Sequence, residues 1–243
     1  MRILALDTAT ENCSAALLIE GQLRATEELI LRGHAERILP MVDQLLCDAK
    51  LPLADLSAIA FGRGPGSFTG VRLAASVTQG LAQGAGLRVV PVSDLRAVAQ
   101  RAFELPAAPQ RVLVCNDARM HEVYWACFER ASDGFAVAAG EERVGSPARV
   151  TLPAHWRGAS GGDCAGEAVA GLLGVGSGFS AYPELAAAMS GRLTVVSEPL
   201  LPRATEIARL AVAEVMNGRV FRPEQALPVY LRDDVARPPA GSH

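Results

Sequence analysis

Asp7-Thr8-Ala9-Thr10 closes a short apolar run near the start of the chain, with Cys13 and Ser14 just beyond. A carboxylate ending a strand, followed by hydroxyl residues, has the chemistry of a phosphate-facing turn. The carboxylate would hold magnesium through water, and the hydroxyls and backbone N–H groups would meet phosphate oxygens. The plainer reading is an Asx or ST turn that closes a hairpin, and for this segment alone it is the stronger one. A second chemistry-bearing stretch is GRGPGSFTGVRLAAS, Gly62–Ser76. Gly64, Gly66 and Gly70 allow the backbone to leave a strand through φ values other residues avoid. Ser67 or Thr69 can cap the helix that follows, whose first N–H groups suit an anion. It is not a P-loop, because Gly70 is followed by Val71 and there is no lysine. The alternative is a tight strand-to-helix turn launching a helix of small residues (Ala74, Ala75, Gly80, Gly84) that packs closely on a neighbour.

His34 opens Arg32–Arg37, but a helical metal site usually pairs histidines four apart, and position 38 is Ile. A capping or packing role fits a lone histidine at a helix start better. His121 and His155 have no partner spacing either. Asn116–Tyr124 places a polar turn between two strands, in the same relative position as the Asp7 turn, and a solvated hairpin tip explains it. The five cysteines are scattered without metal spacing. Their apolar neighbours point to buried free thiols and a reducing cytoplasm.

These residues need elements to hold them. Arg2–Leu6, Ser14–Glu20 and Gln22–Ile30 read as three strands, and Ile38, Val42, Leu45, Leu46 and Ala49 share one helical face. Pro40 either lies in the first turn of that helix or kinks it. Strand Ser57–Gly62 leads through the glycine turn to a helix carrying Leu73, Val77 and Leu81. Strand Arg88–Val92 follows, and Ser93 caps a helix to about Phe103. After the proline-containing hinge Leu105–Gln110 the order restarts: strands Arg111–Asn116, Glu122–Phe128 and Phe135–Val144, then a helical turn at Ser146–Pro147. Strand His155–Gly158, helix Glu167–Leu173, strand Leu193–Ser197 and helix Thr205–Asn217 complete the pattern. Two runs of three strands, each followed by alternating helices and strands, indicate an internal duplication of the actin/hexokinase-like (ribonuclease H-like) kind, an α/β fold of two lobes. Glycine-rich Gly158–Gly178 could be a loop-bounded segment of either lobe, and Gly158–Gly166 is a loose candidate for holding adenosine.

The chain has 243 residues, half of them hydrophobic, with a formal net charge of −3. That is the balance of a soluble globular protein with an aliphatic core. The charge argues against strong, unaided nucleic-acid binding, which draws its affinity from neutralised phosphates. The N-terminus lacks the apolar run of a signal peptide, and no stretch approaches the ~20 apolar residues of a membrane helix.

The motifs LALDTAT, HAERILPMVDQLL, GRGPGSFTGVRLAAS, DARMHEVYWA and PVYLR (Pro228–Arg232) follow one another along nearly the whole chain. In these the sequence resembles the bacterial TsaB (YeaZ) family, which takes part in making threonylcarbamoyladenosine on tRNAs that read ANN codons. The resemblance implies a first lobe of 1–104 with 203–222, a second lobe of 110–202 and a tail of 223–243. It implies a non-catalytic scaffold, an inactive paralogue of the metal-binding TsaD, that pairs with TsaD while the ATPase TsaE joins the pair. The partner face, with any nucleotide contact, would involve His34, Arg37, Met41, Gly64, Pro65, Gly66, Ser67, Thr69, Gly70, Leu73 and Val77. Asp7, Thr8 and Thr10 would be a vestigial phosphate turn, with no metal held. No cofactor would be bound by the subunit alone, ATP or ADP lying at the complex interface if anywhere. A homodimer in isolation, tRNA contact only within the complex and a cytoplasmic location complete the expectation. An actin-fold ATPase or small-molecule kinase, and a metallopeptidase, are the competing readings.

Overall fold

β1 (Arg2–Asp7) is apolar on both faces, as a strand covered from above and below must be. Leu4 and Leu6 point to one layer and Ile3 and Ala5 to the other, all fully buried. β1 pairs antiparallel with β2 (Asn12–Ile19), and β2 with the edge strand β3 (Gln22–Leu29). On its other side β1 runs parallel to β4 (Ala58–Gly62), which runs parallel to β5 (Val89–Val92). The sheet order is β3-β2-β1-β4-β5. One face is covered by α1 (His34–Ala49) and α2 (Phe68–Ala85), the other by α6 (Ala204–Met216), which returns from the far end of the chain. The computed structural model describes residues 1–156 and 171–232.

A second sheet repeats the path. β6 (Arg111–Arg119) and β7 (Glu122–Arg130) form a hairpin, β8 (Ala136–Ala138) and β9 (Arg143–Gly145) both pair with β7, and β10 (Leu172–Val175) and β11 (Thr194–Val195) extend the other side in parallel. The order β11-β10-β6-β7-β8 is the order of the first sheet with the third-strand place divided in two. The protein has the actin/hexokinase-like, duplicated ribonuclease H-like fold. α3 (Asp94–Phe103), expected with the first sheet, buries Leu95, Val98, Ala102 and Phe103 against Val112, Val114 and Phe128 of the second. α4 (Gly178–Ala181) and α5 (Pro183–Ala188) are short additions that hydrophobic periodicity did not announce. Among the described residues, no helix is long and apolar enough to cross a membrane.

Several expectations are corrected. The single strand Phe135–Val144 is broken between β8 and β9, where Glu142 turns to pair with Arg63 of the first lobe at 3.0 Å. Ala154–Trp156 is a turn of 3-10 helix rather than a strand, and buried Trp156 donates its Nε1–H to Glu129 at 2.6 Å. Leu172 and Leu173, expected to end a helix, belong to buried strand β10; four apolar residues carry no period that separates the two states. Residues 157–170, including the glycine-rich Gly158–Gly166 and the start of the expected helix at Glu167, lie outside the described residues, as do Cys164 and 233–243 of the tail. Pro40 lies inside α1 beyond its first turn. Cys13, Cys115 and Cys127 are buried, but Cys47 is exposed on the outer side of α1.

Candidate functional site

The glycine turn after β4 is zipped onto the turn after β1. A β-carbon at Gly62 would lie 2.5 Å from Asp7 Oδ1 and would also collide with Asp94. Gly64 has a φ of +101°, and its N–H donates to Asp94 Oδ2. At Gly66 a β-carbon would sit 2.6 Å from the Ala9 carbonyl, which accepts from Ser67 N–H at 2.7 Å. At Gly70 it would strike the Thr8 carbonyl, and Thr8 Oγ1 donates to the Gly70 carbonyl at 2.7 Å. Only Gly64 uses its left-handed freedom; Gly66 and Gly70 are there because two backbones touch. Ser67 is the N-cap of α2, at a long 3.5 Å from Gly70 N.

Beneath this junction lie two fully buried carboxyls, Asp7 and Asp94. Asp7 Oδ1 accepts from Ala9 N–H at 3.0 Å. Burial pushes the Asp7 carboxyl up to about 6, against the pull of hydrogen bonds from Ala9 and Asp94. Burial, and then the neighbouring Asp7 charge, hold Asp94 well above the usual carboxylate range. Asp7 Oδ2 and Asp94 Oδ1 have no other protein partner among the described residues. Like charges this close do not both ionise cheaply, so the pair retains a proton between them. Asp7 is therefore sealed under the turn and does not line the cleft.

That cleft, about 1310 Å³, runs between the lobes. Thr8, Thr10, His34, Gly66, Ser67 and Thr69 line one side, and Asn116, Asp117, Arg119 and Ser177 the other. His34 Nε2 is 2.8 Å from the Thr10 carbonyl, which can only accept, so Nε2 carries the proton and is engaged. Across the cleft, Asn116 stands beside Gly176 much as Asp7 stands beside Gly62. The neighbouring Asp117 is committed within its own lobe: its Oδ1 accepts from Tyr182 Oη and Arg119 N–H, each at 2.8 Å. Arg119, Met120 and His121 all have positive φ, so the hairpin tip is tighter than a plain solvated turn. Among the described residues, no group of three His, Cys, Asp or Glu side chains converges as metal ligands.

The outer faces of α1 and α2 complete the site. Ile38, Met41, Val42 and Leu45 turn into the core, and Arg37 turns out to pair with Glu28 at 2.6 Å. In α2, Gly70, Val71, Ala74, Ala75, Thr78 and Ala82 face inward. Leu73, Val77 and Leu81 are half-buried at the edge, and Gly80 and Gly84 are exposed with no described residue within 4 Å of where a β-carbon would be. Met41, Gly64, Pro65 and Gly70, expected on a partner face or at a nucleotide contact, are buried in this chain, and Pro65 and Gly70 border the cleft. Sequence reasoning missed Asp94, because an acid in a first helical turn ordinarily only complements the helix dipole. It also gave no role to Tyr230 and Arg232, although the PVYLR segment that holds them was singled out.

A family model described as TsaD: tRNA N6-adenosine threonylcarbamoyltransferase matches residues 27–236. The chain is 44% identical over 241 residues to the tRNA threonylcarbamoyladenosine biosynthesis protein TsaB of Escherichia coli (strain K12), covering 97% of this chain and 96% of that protein. It is 40% identical over 242 residues to the protein of that description from Haemophilus influenzae, covering 97% and 95%. The solved structure of YeaZ from Pseudomonas aeruginosa superposes with a TM-score of 0.82 at 44% identity, over 95% of this chain and 99% of that one. With a shared sequence over essentially full length and a shared backbone, the chain belongs to the TsaB (YeaZ) family.

Proposed function

We propose that this chain acts in tRNA threonylcarbamoyladenosine biosynthesis as a non-catalytic subunit that docks through α2 and the adjoining face of α1 onto a TsaD-type partner. The observation that carries this reading is the pair Gly80 and Gly84. A glycine inside a helix costs about 1 kcal/mol relative to alanine, and no atom among the described residues needs the space that either leaves open. Flanked by half-buried Leu73 and Val77, they form a shallow apolar groove where a partner helix can approach closely.

The non-catalytic part of the proposal is supported by committed side chains. His34 donates its Nε2–H to the Thr10 carbonyl, and the residue four positions on is buried Ile38, so no second histidine completes a helical metal pair. Asp7 is sealed and shares a proton, so it offers no free carboxylate to a nucleotide's magnesium. The hydroxyls of Thr10, Ser67 and Thr69 and the start of α2 do border the cleft. ATP or ADP would therefore be held where the partner completes the site, not by this chain alone. The same surface would pair two copies of this chain when the partner is absent. A TsaE-type ATPase would join the pair in the cytoplasm, and tRNA of the ANN-reading class would be met by the assembly, consistent with the net charge of −3.

The test is reconstitution with TsaD- and TsaE-type subunits, with titration calorimetry on the pair. Leu73→Glu is expected to weaken the heterodimer at least about tenfold, the equivalent of about 1.4 kcal/mol, without loss of helical circular dichroism. Modified tRNA should require this chain and should not form when it is the only subunit. Unchanged affinity would remove the docking face, and modification without this chain would remove the proposed role.

A further inference from the structure

Leu227–Arg232 leaves the first lobe at the glycine turn and ends on the hairpin tip of the second. Val229 N–H donates to the Arg63 carbonyl at 2.7 Å. Tyr230 Oη accepts from Arg72 Nε at 2.7 Å, and its ring lies 5.9 Å from that of Phe68. The Arg72 guanidinium lies over the Phe68 ring, 3.5 Å from its centroid, and 5.3 Å from that of Tyr230. Two residues later Arg232 has crossed to the other lobe. It donates to the Ala118 carbonyl at 3.2 Å and pairs with Glu122, the first residue of β7. Val229–Arg232 thereby supplies part of the cleft lining. Elsewhere, among the described residues, the lobes are joined by α3 against α6, by the Arg63–Glu142 pair and by Asn12 Nδ2, which donates to the Pro202 carbonyl at 3.2 Å; the strap ties the start of α2 to the β6–β7 tip.

We propose that Leu227–Arg232 is a latch that holds the inter-lobe cleft closed, and that breaking the Arg232–Glu122 contact releases it. The contact is shielded enough to hold, with side chains 18% and 34% exposed. It is also open enough to solvent to be exchanged for other partners, as part-exposed ion pairs are. The latch does not rest on the docking role proposed above, since it concerns the isolated chain.

Pulsed dipolar spectroscopy on the full chain tests it, with one spin label on exposed Cys47 of α1 and one on Ala187→Cys of α5, in a Cys164→Ser background. With the labelled chain diluted into an excess of unlabelled chain, so that pairs between copies do not contribute, the parent protein should give one narrow distance. Arg232→Ala and Glu122→Gln should each broaden it and move it outward, and the double variant should go no further, because both act on one contact. Circular dichroism melts establish that each variant is folded, and Glu122→Gln approaches the pair from the other lobe should Arg232→Ala fail to fold. An unchanged distribution in the single variants overturns the latch, as does broadening that adds in the double.

Discussion

Two carboxyls that the sequence separates by a long stretch of chain share one proton under the glycine turn, and this makes stability depend on pH with a definite sign. The folded pair keeps a proton that the unfolded chain gives up, with Asp7 raised from 3.8 to about 6 and Asp94 raised as well, by burial and the neighbouring Asp7. The native state therefore binds more protons, and its stability falls as pH rises through about 4 to about 6 and beyond. Asp94→Asn should flatten that decline, because an amide oxygen can still accept from Gly64 N–H while the amide N–H faces Asp7. Asp94→Ala should instead lose about 1–3 kcal/mol, the cost of a buried N–H left without a partner. Urea unfolding at pH 5 and pH 8 separates the two; equal slopes for Asp94→Asn and the parent would contradict the shared proton.

At the scale of elements, α2 has two different faces. The inward face is small because the sheet and the Thr8 carbonyl press on it, so Gly70 and Ala74 cannot grow. The outward face is small without any such reason. Gly80→Ala should stabilise the isolated chain by about 1 kcal/mol, by restoring helix propensity in open space. A rise in midpoint by urea unfolding is the expected readout, and a fall would mean that Gly80 is already packed within this chain. If Gly80→Ala stabilises the subunit yet weakens the heterodimer, the glycine is held for the partner.

For the molecule as a whole, the two duplicated halves exchange helices: α3 leaves the first sheet for the second core, and α6 comes back to the first. Arg96 pins this exchange, donating to Glu214 of α6 and to the Ala136 carbonyl of β8, each at 2.7 Å. Its side chain is 22% exposed and that of Glu214 12%. Arg96→Ala should cost about 1–3 kcal/mol, because the Ala136 carbonyl loses its donor and Glu214 keeps only Arg219. The exposed Arg37–Glu28 pair, by contrast, should contribute no more than about 1 kcal/mol. Chemical unfolding curves measure both, and an Arg96 variant no weaker than an Arg37 variant would remove the pin.

Much of this was readable in the chain itself. Local rules are written in local residues: the apolar run of β1, the Ser93 cap that accepts from Arg96 N–H at 3.1 Å, and the restart of the strand pattern after Leu105 all specified the duplicated fold. The motifs of the glycine turn and PVYLR specified the family. Tertiary structure alone decided what those residues do, because contact between distant backbones leaves no period or spacing to read. It joined Asp7 to Asp94, turned Met41 and Gly70 inward, and gave Gly64 one reason to be glycine and Gly70 another. It also carried Arg232 across the cleft to Glu122, a contact between lobes that no local pattern encodes.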